Sequence, residues 1–338
     1  MNGKFTNRNH YNPCFWTALW NEAYYLKYCS DGVNTDSARE QCVYSLNLRA
    51  NKILQTKVEQ VHFHKNLGVA EITPESMLKF CARWHPDKYD SMREYLAVHP
   101  DVLYLDFEEV LTGVEKAAKY PYLMQAAKLG ALESVEHKGF LICLLIIHAM
   151  RSFEFMAVTV DRMNSVGVDK WEYFWLLKNL WSTPNFLGGA VIVPMLGEWT
   201  FWRTSHHAFP LCDSPVMIGD ESLMALLSPR LLLEIDLNIG HDEHFWQVRN
   251  EIPLHKYAEF RRRSIANTFK EIIFHDASVL EDWRASDLCA ERIAILRDPS
   301  LTKKCLNEAV ERIMFGLKGF GRLTDDFQPW TGKSIKGT

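Results

Sequence analysis

The apolar pattern between residues 136 and 161 constrains the fold of this chain more than any other feature of its sequence. Apolar residues recur at every third or fourth position and define one wide face, formed by Ile142, Leu145, Ile146, Ala149, Phe153, Met156 and Val160. This spacing is typical of a helix that packs one side against a core. The sequence therefore predicts one continuous, largely buried helix from Glu136 to about Asp161, with the first six of these side chains in the core.

Two other regions have the composition of β-strands. Residues 41–63 contain β-branched and aromatic side chains among polar ones, which predicts two strands. From Ala190 to Asn238, turn residues separate short apolar runs, and we predict strands at 190–193, 200–203, 208–211, 216–218 and 231–237. Further helices are predicted at 74–98, 107–130, 169–181 and 253–316. The predicted fold class is α+β, helix-rich, with a central antiparallel or mixed sheet.

The 338 residues exceed the length at which a single core grows comfortably. We predict one large α+β domain over residues 1–320. It is either undivided or built from a helical half, 70–185, packed on a strand-containing half formed by 1–69 and 186–320. Residues 321–338, rich in Gly, Lys and Thr, are predicted to be a flexible tail.

Charge, cysteines and hydropathy restrict the partners that we expect. Lys and Arg total 38 against 42 Asp and Glu, so no global positive field draws the chain to nucleic acid or anionic lipid, and any such contact must be local. The eight cysteines are scattered, which predicts free thiols without disulfides in a reducing compartment. The longest apolar run, 139–150, is shorter than the roughly 20 residues of a spanning helix. We expect a soluble, cytoplasmic protein without membrane contact, and the oligomeric state stays open.

Two histidine pairs have a spacing that suits metal ligands. His62 and His64 alternate on one face of a predicted strand, and His241 and His244 lie three residues apart. Surface histidines more often pair with neighbouring acids, and neither pair has further ligands at motif spacing. We therefore predict no metal site, while metal dependence and any cofactor stay open.

Four short segments, in the same order along the chain, carry a resemblance to a known family. They are Asn9-His10-Tyr11-Asn12-Pro13-Cys14-Phe15-Trp16, then Arg151 late in the apolar helix, then Leu211-Cys212-Asp213-Ser214-Pro215-Val216, then Leu227-Ser228-Pro229-Arg230-Leu231. Together they resemble the family catalogued as domain of unknown function 4238. Cys212, Ser214 and Ser152-Phe153 depart from the Ser, Asn and Thr-Pro that the family has at these places. The resemblance implies a fold and no established activity.

The same segments supply the candidate site residues. We assign acid–base roles to His10, Tyr11 and Asp213, and substrate or anion binding to Arg151, Ser214 and Asn9. His10, Arg151 and Asp213 are polar residues in apolar surroundings, and such groups are costly to bury singly. We therefore expect these three side chains to converge, with Asp213 ionised by a lowered pKa beside Arg151 and His10 titrating near neutral pH.

Two functions fit this set of residues. The leading hypothesis is a hydrolase-like enzyme, a nuclease or nucleotide hydrolase, in which a His/Arg/Asp pocket acts on a phosphate-bearing small molecule or nucleic acid. The alternative is a non-catalytic binding or interaction protein in which the same residues are structural. The first requires these groups to surround one concave pocket that solvent can reach.

Overall fold

The computed structural model describes residues 8–31, 35–65, 68–107, 126, 132, 134–181, 194–195, 197–205, 209–219, 221–237 and 246–320. Its strands are β1 (Arg8–His10), β2 (Cys42–Asn47), β3 (Lys52–Lys57), β4 (Phe63–Lys65), β5 (Val69–Ile72), β6 (Leu103–Asp106), β7 (Glu198–Arg203), β8 (Val216–Ile218), β9 (Ser222–Ser228), β10 (Leu231–Asp236), β11 (Trp246–Arg249) and β12 (Glu271–Phe274).

Its α-helices are α1 (Cys14–Thr17), α2 (Glu22–Asp31), α3 (Pro74–Trp84), α4 (Tyr89–Val98), α5 (Val135–Arg151), α6 (Phe153–Ser165), α7 (Lys170–Trp181), α8 (Leu254–Ala266), α9 (Ala277–Arg284), α10 (Asp287–Arg297) and α11 (Pro299–Phe320). Short 3-10 turns lie at 18–20, 35–40, 58–60 and 86–88. The fold class is α+β, as predicted.

The largest sheet has five strands in the order β11-β7-β10-β9-β8. Its neighbours are antiparallel except β11 and β7, which run parallel, so the sheet is mixed. All side chains of β9 from Leu223 to Ser228 are buried, as are those of β10 from Leu231 to Ile235. A continuous apolar run of this length is typical of a strand that is covered on both faces. The neighbouring strands β9 and β10 therefore lie inside the core, whereas the edge strand β11 is partly exposed.

A second, three-stranded sheet has the order β12-β2-β3. An isolated antiparallel bridge joins Leu211 to Ile273 of β12, with N–H to O distances of 2.9 and 2.8 Å. Because Leu211 precedes β8 of the large sheet, this bridge ties the two sheets together. Two ribbons of two strands, β1 with β4 and β5 with β6, complete the described sheet structure.

The predicted continuous helix 136–161 is wrong, because it is broken at Ser152. The structure has two helices, α5 and α6, that are bent by 59°. Ser152 is extended (φ -53°, ψ 151°), and its hydroxyl accepts a hydrogen bond from Phe155 N, 3.4 Å away. Serine competes with the helix for backbone hydrogen bonds and is favoured at an N-cap. Five of the six predicted core residues are buried, and the sixth, Phe153, is half-buried beside this break.

Other predicted elements agree with the structure where it describes them. α3 begins at Pro74 under a reciprocal cap between Thr73 and Ser76, and β2, β3, β7, β8 and β10 lie close to their predicted positions. The prediction of helix throughout 253–316 is wrong for Glu271–Phe274, which is strand β12. Strands β1, β4, β5, β6, β9 and β11 were not predicted. The strand predicted at 208–211 is wrong for its described residues, of which only Leu211 forms a β-bridge. The elements predicted at 107–130 and 190–193, and the tail 321–338, fall mostly or wholly outside the described residues.

The buried apolar side chains form one continuous cluster that includes residues from β2, α5 and β10. All eight cysteines are free thiols. Among the described helices, none alone has the length and hydropathy to cross a bilayer, although α5 and α6 meet these criteria together as a bent pair. Their apolar faces are buried within the fold.

Candidate functional site

Polar side chains from five parts of the chain meet inside the protein. We call them the buried polar cluster, which comprises His10, Tyr11, Asn12, His62, His148, Arg151, Glu154, Asp213, Ser214 and Glu271. None is more than 9% exposed. They come from β1 and the residues after it, the turn before β4, the α5–α6 junction, the segment before β8, and β12. The cluster therefore links the small ribbon, the broken helix and both larger sheets.

Asp213 is the centre of the hydrogen-bonding pattern. Its Oδ2 accepts from the backbone N–H groups of Phe269 at 2.6 Å and Lys270 at 2.5 Å. Its Oδ1 accepts from the backbone N–H of Glu271 at 3.1 Å and from the hydroxyl of Tyr11 at 3.3 Å. The carboxylate thus caps three successive amides at the start of β12. A charged acceptor makes stronger hydrogen bonds than a neutral one, so this contact fixes the strand firmly.

Tyr11 and Asn12 connect β1 to this centre. The backbone N–H of Tyr11 donates to the carbonyl of His62, 3.0 Å away, which extends the pairing of β1 with β4. The side-chain amide of Asn12 donates to the carbonyls of Cys212 and Asp213, each at 3.2 Å, and lies 3.0 Å from Nδ1 of His62. One amide therefore joins the N-terminal segment, the turn before β4 and the segment before β8.

The two histidines considered as metal ligands, His62 and His64, lie in different surroundings. Its φ of 50° lies in the left-handed region, and its backbone N–H donates to Oε1 of Glu271 at 2.8 Å. Its ring is fully buried, with Nε2 at 3.7 Å from Oδ1 of Asp213. His64 lies in β4, exposed, and its ring stacks on Phe153 with the centroids 5.5 Å apart. The prediction that His62 and His64 share one face is therefore wrong.

No metal centre emerges from the described residues. Within them, no three His, Cys, Asp or Glu side chains lie close enough together to hold a metal ion. His241 and His244 lie outside the part of the chain that the structure describes.

The α5–α6 junction supplies the positive end of the cluster. Arg151 is the last residue of α5 and is only 4% exposed, and its charge contributes to lowering the pKa of both His10 and His148. His148 packs edge-on against the ring of Trp16, with the centroids 4.9 Å apart. Arg151 therefore lies close to two of the buried histidines. The expected direct approach of Arg151 to Asp213 stays a prediction.

Glu154 and Ser214 form a second buried contact. The hydroxyl of Ser214 donates to Oε1 of Glu154, in the first turn of α6. Because Ser214 belongs to the segment before β8, this contact joins that segment to the start of α6. The other carboxylate oxygen of Glu154 has no hydrogen-bond partner among the described residues, and burial raises the pKa of Glu154.

The acid–base behaviour differs from the expectation. Burial raises the pKa of Asp213 to about 7, with further contributions from the negative charges of Glu271 and Glu154, whereas we expected a lowered value. Burial, helped by nearby positive charges that include Arg151, lowers the pKa of His10 to about 4, so its ring is neutral at pH 7. Removal from water disfavours the charged form of each group, which explains both corrections.

The remaining titratable groups follow the same rule. Burial lowers the pKa of His62 to about 4 and that of His148 to about 3. Burial also raises the pKa of Tyr11, which keeps its hydroxyl as a donor to Asp213. Glu271 is the exception: burial alone raises its pKa, but His62, Lys270 and the hydroxyl of Ser45 outweigh that and lower it.

Five of the six predicted site residues belong to this cluster. Tyr11 and Asp213 are in contact, and His10 lies near Arg151, while Ser214 contacts Glu154 rather than the others. Asn9 lies opposite His64 in the β1–β4 ribbon, and its side chain is outside the described part of the structure. The sequence analysis assigned neither Asn12, Glu154 nor Glu271 to this site, and it considered His62 only as a candidate metal ligand. Asn12 directly follows the predicted site residue Tyr11, and Glu154 lies three residues after Arg151, so their positions in the sequence could have indicated them. Glu271 had no comparable indication, because strand β12 was not predicted.

Comparison of the chain with protein-family models, with curated proteins and with solved structures gave no match. The resemblance to the family of domain of unknown function 4238 therefore stays a prediction.

Proposed function

We propose that this protein is a non-catalytic binding or interaction protein, in which the buried polar cluster holds the fold together. The observation that carries the proposal is the environment of Asp213. Its two oxygens accept four hydrogen bonds from the protein, and the residue is 0% exposed. A general base must come within hydrogen-bond reach of the proton that it abstracts. The protein itself uses the acceptor capacity that such a role needs.

The histidines support the same proposal. His10 is buried, and its Nδ1 lies 3.1 Å from the carbonyl of Val61. With a pKa of about 4, its ring is a weak base at neutral pH. A catalytic group works best when its pKa lies near the operating pH. His10 is therefore better suited to fixing the β1–β4 ribbon than to proton transfer.

One feature favours the hydrolase hypothesis instead. The pKa of about 7 for Asp213 lies in the range where a general base is effective, and strongly shifted pKa values are common at active sites. Buried structural networks shift pKa values for the same physical reason, namely the loss of solvation. A test must therefore separate catalysis from stability at this residue.

Tyr11→Phe makes that separation possible. The variant keeps the aromatic ring and removes one hydrogen-bond donor to Asp213, so we expect it to fold with a loss of about 1 kcal/mol in unfolding free energy. Wild-type protein and variant are incubated with ATP, with a phosphate monoester and with single-stranded RNA, and products are measured by chromatography. We expect no turnover above the blank in either protein. Turnover by the wild type that disappears in a well-folded Tyr11→Phe variant would overturn the proposal.

A further inference from the structure

A second region gathers charge in the opposite way. The end of α10, the start of α11 and the turn after β2 surround a cavity of about 450 Å³. We call it the basic cleft, and its lining residues are Arg49, Leu296, Arg297, Pro299, Thr302, Lys303 and Leu306. Three of them are cations, and no Asp or Glu is among these described lining residues.

The three cations have no protein counter-ion within the part of the chain that the structure describes. Arg49, Arg297 and Lys303 are exposed, and none forms an ion pair or side-chain hydrogen bond with a described residue. The neighbouring Lys304, by contrast, reaches Glu308 at 4.0 Å. Like charges around one cavity repel each other and concentrate a positive potential within it. An anion that enters from solution would reduce this repulsion.

The acid nearest in sequence is already engaged. One oxygen of Asp298 accepts hydrogen bonds from the backbone N–H groups of Ser300 at 2.8 Å and Leu301 at 3.1 Å, where it caps α11. The hydroxyl of Thr302 donates to the carbonyl of Ile295 at 3.0 Å. A ligand in the basic cleft therefore meets the side chains of the three cations rather than the first amides of the helix.

Apart from Thr302, the rest of the lining is apolar. Leu296 is 4% exposed and belongs to the core, and Leu306 packs against that core. Pro299 adds a third apolar surface. Pockets for small molecules usually have volumes of about 300 to 1,000 Å³, with apolar walls and a few placed polar groups. The basic cleft has the size and the composition to hold a small molecule that has both an anionic and an apolar part.

From this arrangement we infer that the basic cleft binds a nucleoside phosphate. Arg49, Arg297 and Lys303 hold the phosphates, and Pro299 and Leu306 contact the base and sugar. Arginine suits this role because its planar guanidinium forms paired hydrogen bonds with phosphate oxygens. The inference gives a ligand class to the binding function proposed above. It depends on that proposed function in one respect, namely that the bound nucleotide is not hydrolysed.

The inference is tested by isothermal titration calorimetry, in which ATP is injected into a solution of the whole chain at low ionic strength. We expect one site, with weaker binding of adenosine, which lacks phosphate, and of pyrophosphate, which lacks the apolar part. Arg297→Ala and Lys303→Ala should each weaken ATP binding about tenfold, since each removes one charged hydrogen-bond partner. Lys304→Ala is the matched control, because it removes the same charge one residue further along α11, outside the cleft, and it should leave the affinity unchanged.

Several results would overturn the basic cleft as a nucleoside phosphate site. They are no heat of ATP binding, equal losses in Lys303→Ala and Lys304→Ala, or tight binding of single-stranded RNA without binding of ATP, which would indicate a nucleic-acid surface instead. Hydrolysis of the bound ATP that requires Tyr11 would contradict the non-catalytic function and leave the cleft intact. The two proposals can therefore fail separately.

Discussion

The buried polar cluster and the basic cleft use charged residues in opposite ways. In the cluster, Asp213 is withdrawn from water and its oxygens are bonded to Tyr11 and to backbone amides. In the cleft, Arg297 and Lys303 stand in water without a described counter-ion. An unpaired charge raises the free energy of the folded state strongly in the interior, where it loses its hydration, and only slightly at the surface. Charge with internal partners therefore fits a structural role here, whereas the exposed cations remain accessible to an anion from solution.

The largest effect that we expect comes from Asp213→Asn. The new side-chain NH2 would face backbone N–H groups or the Tyr11 hydroxyl, and buried donors would lose their acceptor. We expect a loss of about 3 to 5 kcal/mol in unfolding free energy, measured by urea denaturation. Asp276→Asn is the control. Asp276 is an exposed N-cap residue whose side chain accepts a hydrogen bond from the backbone N–H of Ser278, and Asn caps helices equally well. Equal stability of the two variants would contradict a structural role for Asp213.

The next largest effect that we expect is a dependence of stability on pH, which comes from the buried polar cluster. His10, His62 and His148 have pKa values of about 4, 4 and 3 in the folded protein, against 6.5 in the unfolded chain. Between about pH 4 and 6.5 the unfolded chain therefore binds more protons at these residues, and stability falls as the pH falls. Asp213 acts in the opposite direction, because its pKa is raised from 3.8 to about 7 and the folded state holds its proton through this window. Glu154 acts in the same direction as Asp213, because burial raises its pKa too. We expect the three histidines to outweigh these two carboxyl groups.

His148→Phe tests this account at a single residue. The variant keeps a ring against Trp16 and removes one of the groups that take up a proton on unfolding. Each such group contributes about 1.4 kcal/mol per pH unit, so the slope of unfolding free energy against pH should decrease by about that amount between pH 4.5 and 6. Urea denaturation at several pH values measures it. An unchanged slope would mean that His148 is protonated to the same degree in both states.

The smallest effect on stability is expected in the basic cleft. Arg49→Ala removes an exposed side chain without a described ion pair, so the unfolding free energy should change by less than about 0.5 kcal/mol. Any change should favour the folded state, since repulsion between the cations decreases. The measurement is the melting temperature with and without ATP. A marked loss of stability in the absence of ligand would place Arg49 among the structural residues and erase the difference between the two regions.

The parts of the fold that depend on nearby residues were predictable. The Thr73-Pro74 start of α3 is a local signal, because the cap and the first turn lie within a few residues. The alternation in β2 and β3 is local as well. The break at Ser152 was missed although serine is a recognised N-cap, because the apolar spacing continues across it. A periodic pattern reports which face is buried and does not report a bend.

For the candidate site, the sequence predicted most of the residues but not the contacts between them. The sequence showed that His10, Arg151 and Asp213 are polar residues in apolar stretches, which must find partners. It did not show those partners, because Tyr11 and Asp213 are 202 residues apart in the chain. Nor did it predict their pKa shifts, because desolvation depends on the whole surrounding core. The basic cleft was not predicted at all, since Arg49 and Arg297 meet only through the packing of the β2–β3 turn against α10 and α11.

Composition and the spacing of residues a few positions apart were enough to predict the α+β class, most of the described helices, and the polar residues that need partners. Only the tertiary structure decided that Asp213 bonds to the amides of β12, that Glu154 pairs with Ser214, and that three exposed cations surround one cleft. Such contacts join distant segments. Their formation depends on how the complete core packs, and no local pattern carries that information.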